Sequence, residues 1–173
     1  MNLPFRALQR AHIPATALAP LLALALAPAV ATAAEPSGEP APFGHACSSQ
    51  DGVRFCPTSG LEQRVASFDG VPLDVDVTLP ASGKGPFPVI VMLHGWEGNK
   101  TSFESSTPAG DGNQTYDYNN VYFAQHGYAV VNYSARGWGD SCGAVESRTE
   151  PGCKEGWIRL ADQRYEARDT QYL

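Results

Sequence analysis

The sequence predicts an α/β fold: an antiparallel leading hairpin, then parallel strands with helices. Three observations carry this. Asp69-Gly70 sits between the strand-like runs Arg64–Phe68 and Val71–Leu79, a hairpin signal. Phe87–Leu93 is apolar without polar gaps, which suits a strand covered on both faces, as in a parallel sheet. About 35 residues on, Tyr128–Tyr133 forms a second such run, with a short helix signal just before it.

At 43% apolar and 17% charged, the 173 residues have a globular composition. The first third stands apart. Met1–Arg10 holds Arg6 and Arg10 and no acid, and Ala15–Val30 is almost wholly Ala, Leu and Pro. Ala29-Val30-Ala31 and Ala31-Thr32-Ala33 are small-residue cleavage sites, so residues 1–33 read as a secretory signal peptide and the protein as secreted or otherwise extracytoplasmic. A transmembrane anchor competes with this reading, but Pro20 and Pro28 interrupt a run already short for a span. Residues 34–61 read as a flexible N-terminal segment with a disulfide loop. Residues 62–173 hold the α/β portion.

Cleavage would leave ten basic residues against eighteen acidic ones, a net charge of about −8. No basic stripe survives, which argues against nucleic acid and, after signal cleavage, against a membrane surface as partners. The four cysteines allow three connectivities. The local pairs Cys47–Cys56 and Cys142–Cys153 are the simplest, each stapling a loop outside the predicted strands. No CxxC occurs and the four histidines lack ligand spacing, so no metal site is predicted.

Along the α/β portion, Leu73, Val75, Val77 and Leu79 alternate with Asp74, Asp76 and Thr78. That period of two predicts one buried and one wet face, with Asp74 and Asp76 on the solvated side of an edge strand. Pro80–Pro86 is a loop and Thr101–Tyr116 an irregular polar excursion. Asn119 or Asn120 caps a helix through Gln125, ended by Gly127. Residues 138–156 read as a loop, and from Trp157 the chain turns helical, with Ile158, Ala161, Tyr165 and Tyr172 on one face. Asn99, Asn113 and Asn132 head glycosylation patterns, of which Asn132 falls inside a strand.

Chemistry concentrates at the two strand ends. His94-Gly95-Trp96-Glu97-Gly98 places backbone amides at the carboxyl end of a central strand, where open α/β sheets bind ligands. The amide of Trp96 is the candidate donor to an oxyanion. His94 is read as a structural residue bonding the loop. Gly139-Asp140-Ser141-Cys142-Gly143 satisfies G-x-S-x-G, but no strand runs directly into Ser141 and no helix follows. Arg136 and Ser141 are therefore read as organising a turn by hydrogen bonds, and no Ser-His-Asp triad is assembled from these residues.

PVIVMLHGWEGNK, FAQHGYAVVNYSARGWGDSCG and LADQRYEARDTQYL together resemble an α/β-hydrolase, specifically the Xaa-Pro dipeptidyl-peptidase and acyl-esterase group that includes cocaine esterase. The resemblance covers about residues 62–173. It implies the N-terminal half of an α/β-hydrolase sheet, and hydrolysis of a small ester or peptide through an acyl-enzyme without metal or organic cofactor. In that group a Tyr stands at the oxyanion position; Trp96 takes its place here, so only the backbone role carries over. The resemblance also implies that nucleophile, acid and base lie beyond Leu173. On that reading the chain is a fragment, with an uncovered edge on its parallel strands that invites aggregation, and no turnover of its own. The competing expectation is a small secreted, disulfide-stapled binding module, with Trp96, Trp138 and Trp157 as contact anchors.

Overall fold

A computed structural model describes residues 39–104, 118–160 and 162–173. The signal-peptide reading, the Asn113 acceptor and most of the Thr101–Tyr116 excursion lie outside the described residues. Strands β1 (Ser48–Gln50) and β2 (Val53–Cys56) form a hairpin. Its turn is Asp51-Gly52, both at positive φ (48° and 73°), the conformation that a two-residue hairpin turn requires. The Cys47–Cys56 disulfide closes this hairpin, and Cys142–Cys153 closes the second loop.

The Asp69-Gly70 hairpin forms as predicted, from β3 (Val65–Ala66) and β4 (Pro72–Leu73), but as a separate two-stranded ribbon. The run then continues as β5 (Val75–Pro80), which enters the main sheet beside β2. Strand β6 (Val89–Leu93) lies parallel to β7 (Ala129–Tyr133), with Val91 opposite Val131, and β7 pairs antiparallel with β5. The order is β1-β2-β5-β7-β6: an α/β fold with a mixed, mostly antiparallel sheet and one parallel pair.

Helix α1 (Asn120–Gln125) follows its signals: the Asn119 side chain accepts from the Tyr122 amide at 3.0 Å, and Gly127, at φ 92°, ends it. Within the predicted loop 138–156 a single turn, α2 (Val145–Arg148), is helical. Helix α3 (Glu166–Tyr172) begins nine residues later than the sequence predicts. The Glu166 carboxylate accepts from the Arg159 and Asp162 amides at 2.6 and 3.0 Å. The Arg159 guanidinium lies 4.0 Å from the Trp157 ring centre and 3.6 Å from that of Tyr165, and Leu160 has φ 56°. These contacts hold Trp157–Leu160 out of helical geometry.

The sheet has two unlike faces. On one, Val75, Val77, Leu79, Val131 and Tyr133 form an apolar core joined by Phe87 and Leu173. Burying each aliphatic side chain there contributes about 1.5–3 kcal/mol. The other face carries Asp74, Asp76, Thr78 and Asn132, with Val53, Val121, Ala124 and Val130 packed beneath α1. Two expectations are corrected here. Asp74 and Asp76 are not solvated: they are 5% and 3% exposed, because β5 is a central strand covered on both faces. Conversely β6, expected to be covered on both faces, is an edge strand whose Val89 and Leu93 are 61% and 58% exposed.

Candidate active site

The two strand-end loops meet. The ring of His94 joins them: Nε2 accepts from the Ala135 amide at 2.9 Å and Nδ1 donates to the Gly95 carbonyl at 2.7 Å. Those roles require the neutral tautomer with its proton on Nδ1. His94 is thus the structural residue that the sequence suggests. The turn closes through the Gly98 amide to the Gly95 carbonyl at 3.1 Å, with Glu97 at φ 60°. Trp96, two-thirds exposed, sets its ring edge-to-face on Trp138, centres 5.0 Å apart. Among the described residues the Trp96 amide donates to nothing.

Beside this turn lies a cavity of about 450 Å³, walled by Leu93, Trp96, Tyr133, Trp138, Ile158 and Leu160. Its lining is apolar apart from a few groups. One is Glu166, whose carboxylate is already engaged by the two amides given above. Another is the Tyr133 hydroxyl, held to Thr170 Oγ1 at 2.7 Å; burial is the largest influence on it and raises its pKa. In the loop after β7, outside the cavity lining, Gly137 has φ 81°, and a Cβ there would stand 2.5 Å from the Ile158 nitrogen. Only glycine admits that approach.

Ser141 is wholly buried. Its Oγ donates to the Ser134 carbonyl at 2.6 Å and accepts from the Asp74 amide at 2.8 Å. The hydroxyl fixes the turn to β5 and β7, as the sequence context suggests, and cannot reach a substrate. Asn132 is likewise buried within β7, out of reach of a glycan.

Arg136 stands behind the same loop with no exposed surface. Nε and Nη2 bond Asp169 at 2.7 and 2.5 Å, and Nη1 and Nη2 bond Asp69 at 2.8 and 3.1 Å. Phe68 and Tyr165 flank the guanidinium at 5.4 Å from each ring centre, and Ser67 Oγ donates to Asp169. Burial works against both charges in the Arg136–Asp69 pair. The paired charge and hydrogen bonds outweigh it, so Asp69 lies below the usual carboxylate range and Arg136 above the usual guanidinium value.

Sequence reasoning missed a largely enclosed cation beside these loops, Lys100, whose side chain is 15% exposed. It opens a 3-10 turn, Lys100–Phe103, capped by Asn99 directly after Gly98. Its ammonium bonds Asp74 and Asp76 at 2.7 Å each. Burial lowers the Lys100 pKa, but those two carboxylates more than offset it, leaving it above the ordinary lysine value. Asp74 is pushed up by burial, against the pull of Lys100. Glu104 is pushed up to about 9, first by burial and then by the charge of Asp76. The signal was legible as the Asp74/Asp76 doublet; its reading failed because a period-two strand does not say which face is wet.

Comparison with known proteins adds one finding. Residues 69–158 match the family described as X-Pro dipeptidyl-peptidase (S15 family), a stretch that holds β4, both strand-end loops, Lys100 and Arg136. No curated protein and no solved structure matches the chain.

Proposed function

The chain belongs to the X-Pro dipeptidyl-peptidase family, a family of hydrolases, and we propose that it supplies the oxyanion half of a secreted serine-hydrolase site, with the Trp96 amide as donor. One observation carries the reading: the His94–Ala135 bond ties the two strand-end loops together beside an apolar cavity, while among the described residues the Trp96 amide has no acceptor. In acyl transfer a serine hydroxyl adds to the acyl carbon of an ester or amide, the alcohol or amine leaves, and water releases the acid. The carbonyl oxygen carries negative charge meanwhile, and a preorganised N–H aimed at it is worth about 3 kcal/mol.

On this reading the strand order is the front half of an α/β-hydrolase sheet, and the attacking serine with its acid and base comes from a segment added beyond β6. The burial of Ser141 and the engagement of both His94 nitrogens support assigning those roles elsewhere. The substrate is a small ester or peptide with an apolar acyl portion; the reading requires neither metal nor organic cofactor, and places the protein outside the cytoplasm.

Two variants of the full gene product test the donor, assayed on an X-Pro anilide and an aryl ester with near-UV circular dichroism as fold control. Trp96→Ala keeps its N–H and retains kcat within about tenfold, whereas Trp96→Pro has none and loses about 10²–10³ in kcat with little change in KM. Equal losses in both overturn the backbone role. If the unmodified product hydrolyses neither substrate and takes up no fluorophosphonate, the hydrolase reading falls and the disulfide-stapled binding module takes its place.

A further inference from the structure

The cavity beside the HGWEG turn has an apolar rim that the fold holds in place. Its walls come from the end of β6 with its turn, the end of β7 with its loop, helix α3, and the irregular segment 158–160. Leu160 ends that segment. It lines the cavity, yet 70% of its surface stays in water, so it stands at the mouth and not on the floor. Its φ of 56° lies in the left-handed region, where a side chain crowds its own backbone. A leucine keeps that conformation only where its surroundings impose it, and such residues concentrate at sites that clamp ligands.

The surroundings of Leu160 do impose it. The Glu166 carboxylate accepts the Arg159 amide on Oε1 and the Asp162 amide on Oε2, so it grips the backbone on both sides of Leu160. The Arg159 guanidinium stacks on the Trp157 and Tyr165 rings and bonds Glu155 at 2.7 Å. Upstream, Gly137 approaches the Ile158 nitrogen so closely that no side chain fits between them. Ile158 is thus a fixed wall, and Leu160 is held out at the rim by the first turn of α3.

An apolar side chain left in water gains free energy when an apolar ligand covers it. At about 450 Å³ the cavity has the size of a small-molecule site, far more than an acetyl group fills. An acyl carbon presented to the Trp96 amide has this space beside it for its chain. We propose that Leu160 is a specificity-determining residue that reads the length of the acyl group, favouring extended apolar chains over acetyl, with Glu166 as the residue that positions it. That the bound chain is an acyl group rests on the function proposed above; that the cavity takes an extended apolar chain and reads it at Leu160 does not.

Binding tests this without turnover. The full gene product is loaded with the neutral fluorophore N-phenyl-1-naphthylamine, which is then displaced by straight-chain alcohols from butanol to octanol. Each methylene buried is worth about fourfold in affinity, so octanol should act at about 200-fold lower concentration than butanol. Leu160→Asn tolerates the left-handed backbone but removes the apolar rim, and the octanol-to-butanol ratio should fall by at least about fourfold. Leu160→Met should keep the ratio within about twofold. Glu166→Ala frees the rim and should lower the ratio as Leu160→Asn does; a uniform weakening of all the alcohols overturns its positioning role. On 4-nitrophenyl esters from acetate to octanoate, kcat/KM should follow the same chain-length order. The proposal is overturned if the parent does not bind the fluorophore or release it to octanol, if Leu160→Asn leaves the ratio unchanged, or if Leu160→Met lowers it equally. Chain-length-dependent binding without ester turnover leaves the rim standing and removes the hydrolase reading. Should Glu166→Ala fail to fold, the two Leu160 variants decide alone.

Discussion

Arg136, fully buried, and Lys100, half-buried, face two aspartates each, and they solve the same electrostatic problem in opposite ways. Arg136 presents a planar fork to Asp69 and Asp169, and every guanidinium nitrogen finds an acceptor within 3.1 Å. Two rings flank it, and the group is permanently charged. Lys100 offers a point charge to Asp74 and Asp76, and burial pushes a third acid, Glu104, up to about 9. One centre is closed and has no pH response in the physiological range. In the other, burial pushes the acids Asp74 and Glu104 upward, so it responds to pH. The Arg136 centre ties the β3–β4 ribbon and α3 to the loop after β7; the Lys100 centre ties the turn after β6 to the sheet.

The largest effect comes from breaking the closed centre. Arg136→Met leaves Asp169, which has no exposed surface, as an uncompensated buried charge, and removing one partner of such a pair costs about 3–5 kcal/mol. Arg136→Lys recovers little, since an ammonium cannot serve two carboxylates bidentately. Urea denaturation monitored by circular dichroism measures both; a loss under 1 kcal/mol in Arg136→Met would show that the carboxylates find other partners.

Lys100→Met also strands two buried carboxylates, but these can respond by taking up protons. We expect a loss of about 3 kcal/mol at pH 8, shrinking to about 1 kcal/mol at pH 5. The sign follows from linkage. Without Lys100, Asp74 loses the charge that opposes its burial and its folded-state pKa moves further up, so the stability it contributes is retained in acid and lost as pH rises. A penalty independent of pH would erase the contrast with Arg136.

Glu104→Gln is of opposite sign. The folded-state pKa of Glu104, about 9, lies above its ordinary value of 4.5. The stability contributed by the neutral acid is therefore full below pH 4.5 and is lost as pH rises towards 9. Glutamine cannot ionise, so the variant should gain on the parent across that window, by at most about 1.4 kcal/mol per pH unit. Parallel stability curves for the two proteins would show that Glu104 titrates at its ordinary value.

Much of this architecture was legible. The Asp69-Gly70 hairpin, the Asn119 cap, the β7 strand and both disulfides follow from local chemistry that acts within a few residues. Asp51-Gly52 offered the same hairpin signal as Asp69-Gly70, but its flanking strands are too short and polar to show a period. The fate of Asp74 and Asp76 was not legible, because alternation fixes which side chains share a face and not what covers it. The partner of that face, Lys100, sits 24 residues from Asp76. The late start of α3 is of the same kind: residues 157–160 have a helical pattern that Glu166 and the stacked Arg159 override. At the site, the glycines and His94 were readable because a tight turn at a strand end constrains residue type. Arg136 was readable as an organiser, but not its partners, which lie 67 and 33 residues away.

The finest test sets the Lys100 anchor below the turn against the His94 tie above it. His94→Ala removes the acceptor for the Ala135 amide and the donor to the Gly95 carbonyl. Gly95 is exposed and Ala135 half-buried, so water replaces much of both bonds and the cost is about 1 kcal/mol. If the two tethers hold one rigid turn, losing either loosens the other's geometry. The double variant His94→Ala/Lys100→Met should then be less destabilised than the sum of the single losses by more than about 0.5 kcal/mol, the range that additivity of independent sites allows. Losses that simply add would mean that residues 94–98 bend independently of Lys100. The Trp96 amide would then be positioned by the His94–Ala135 bond and the Trp138 contact alone.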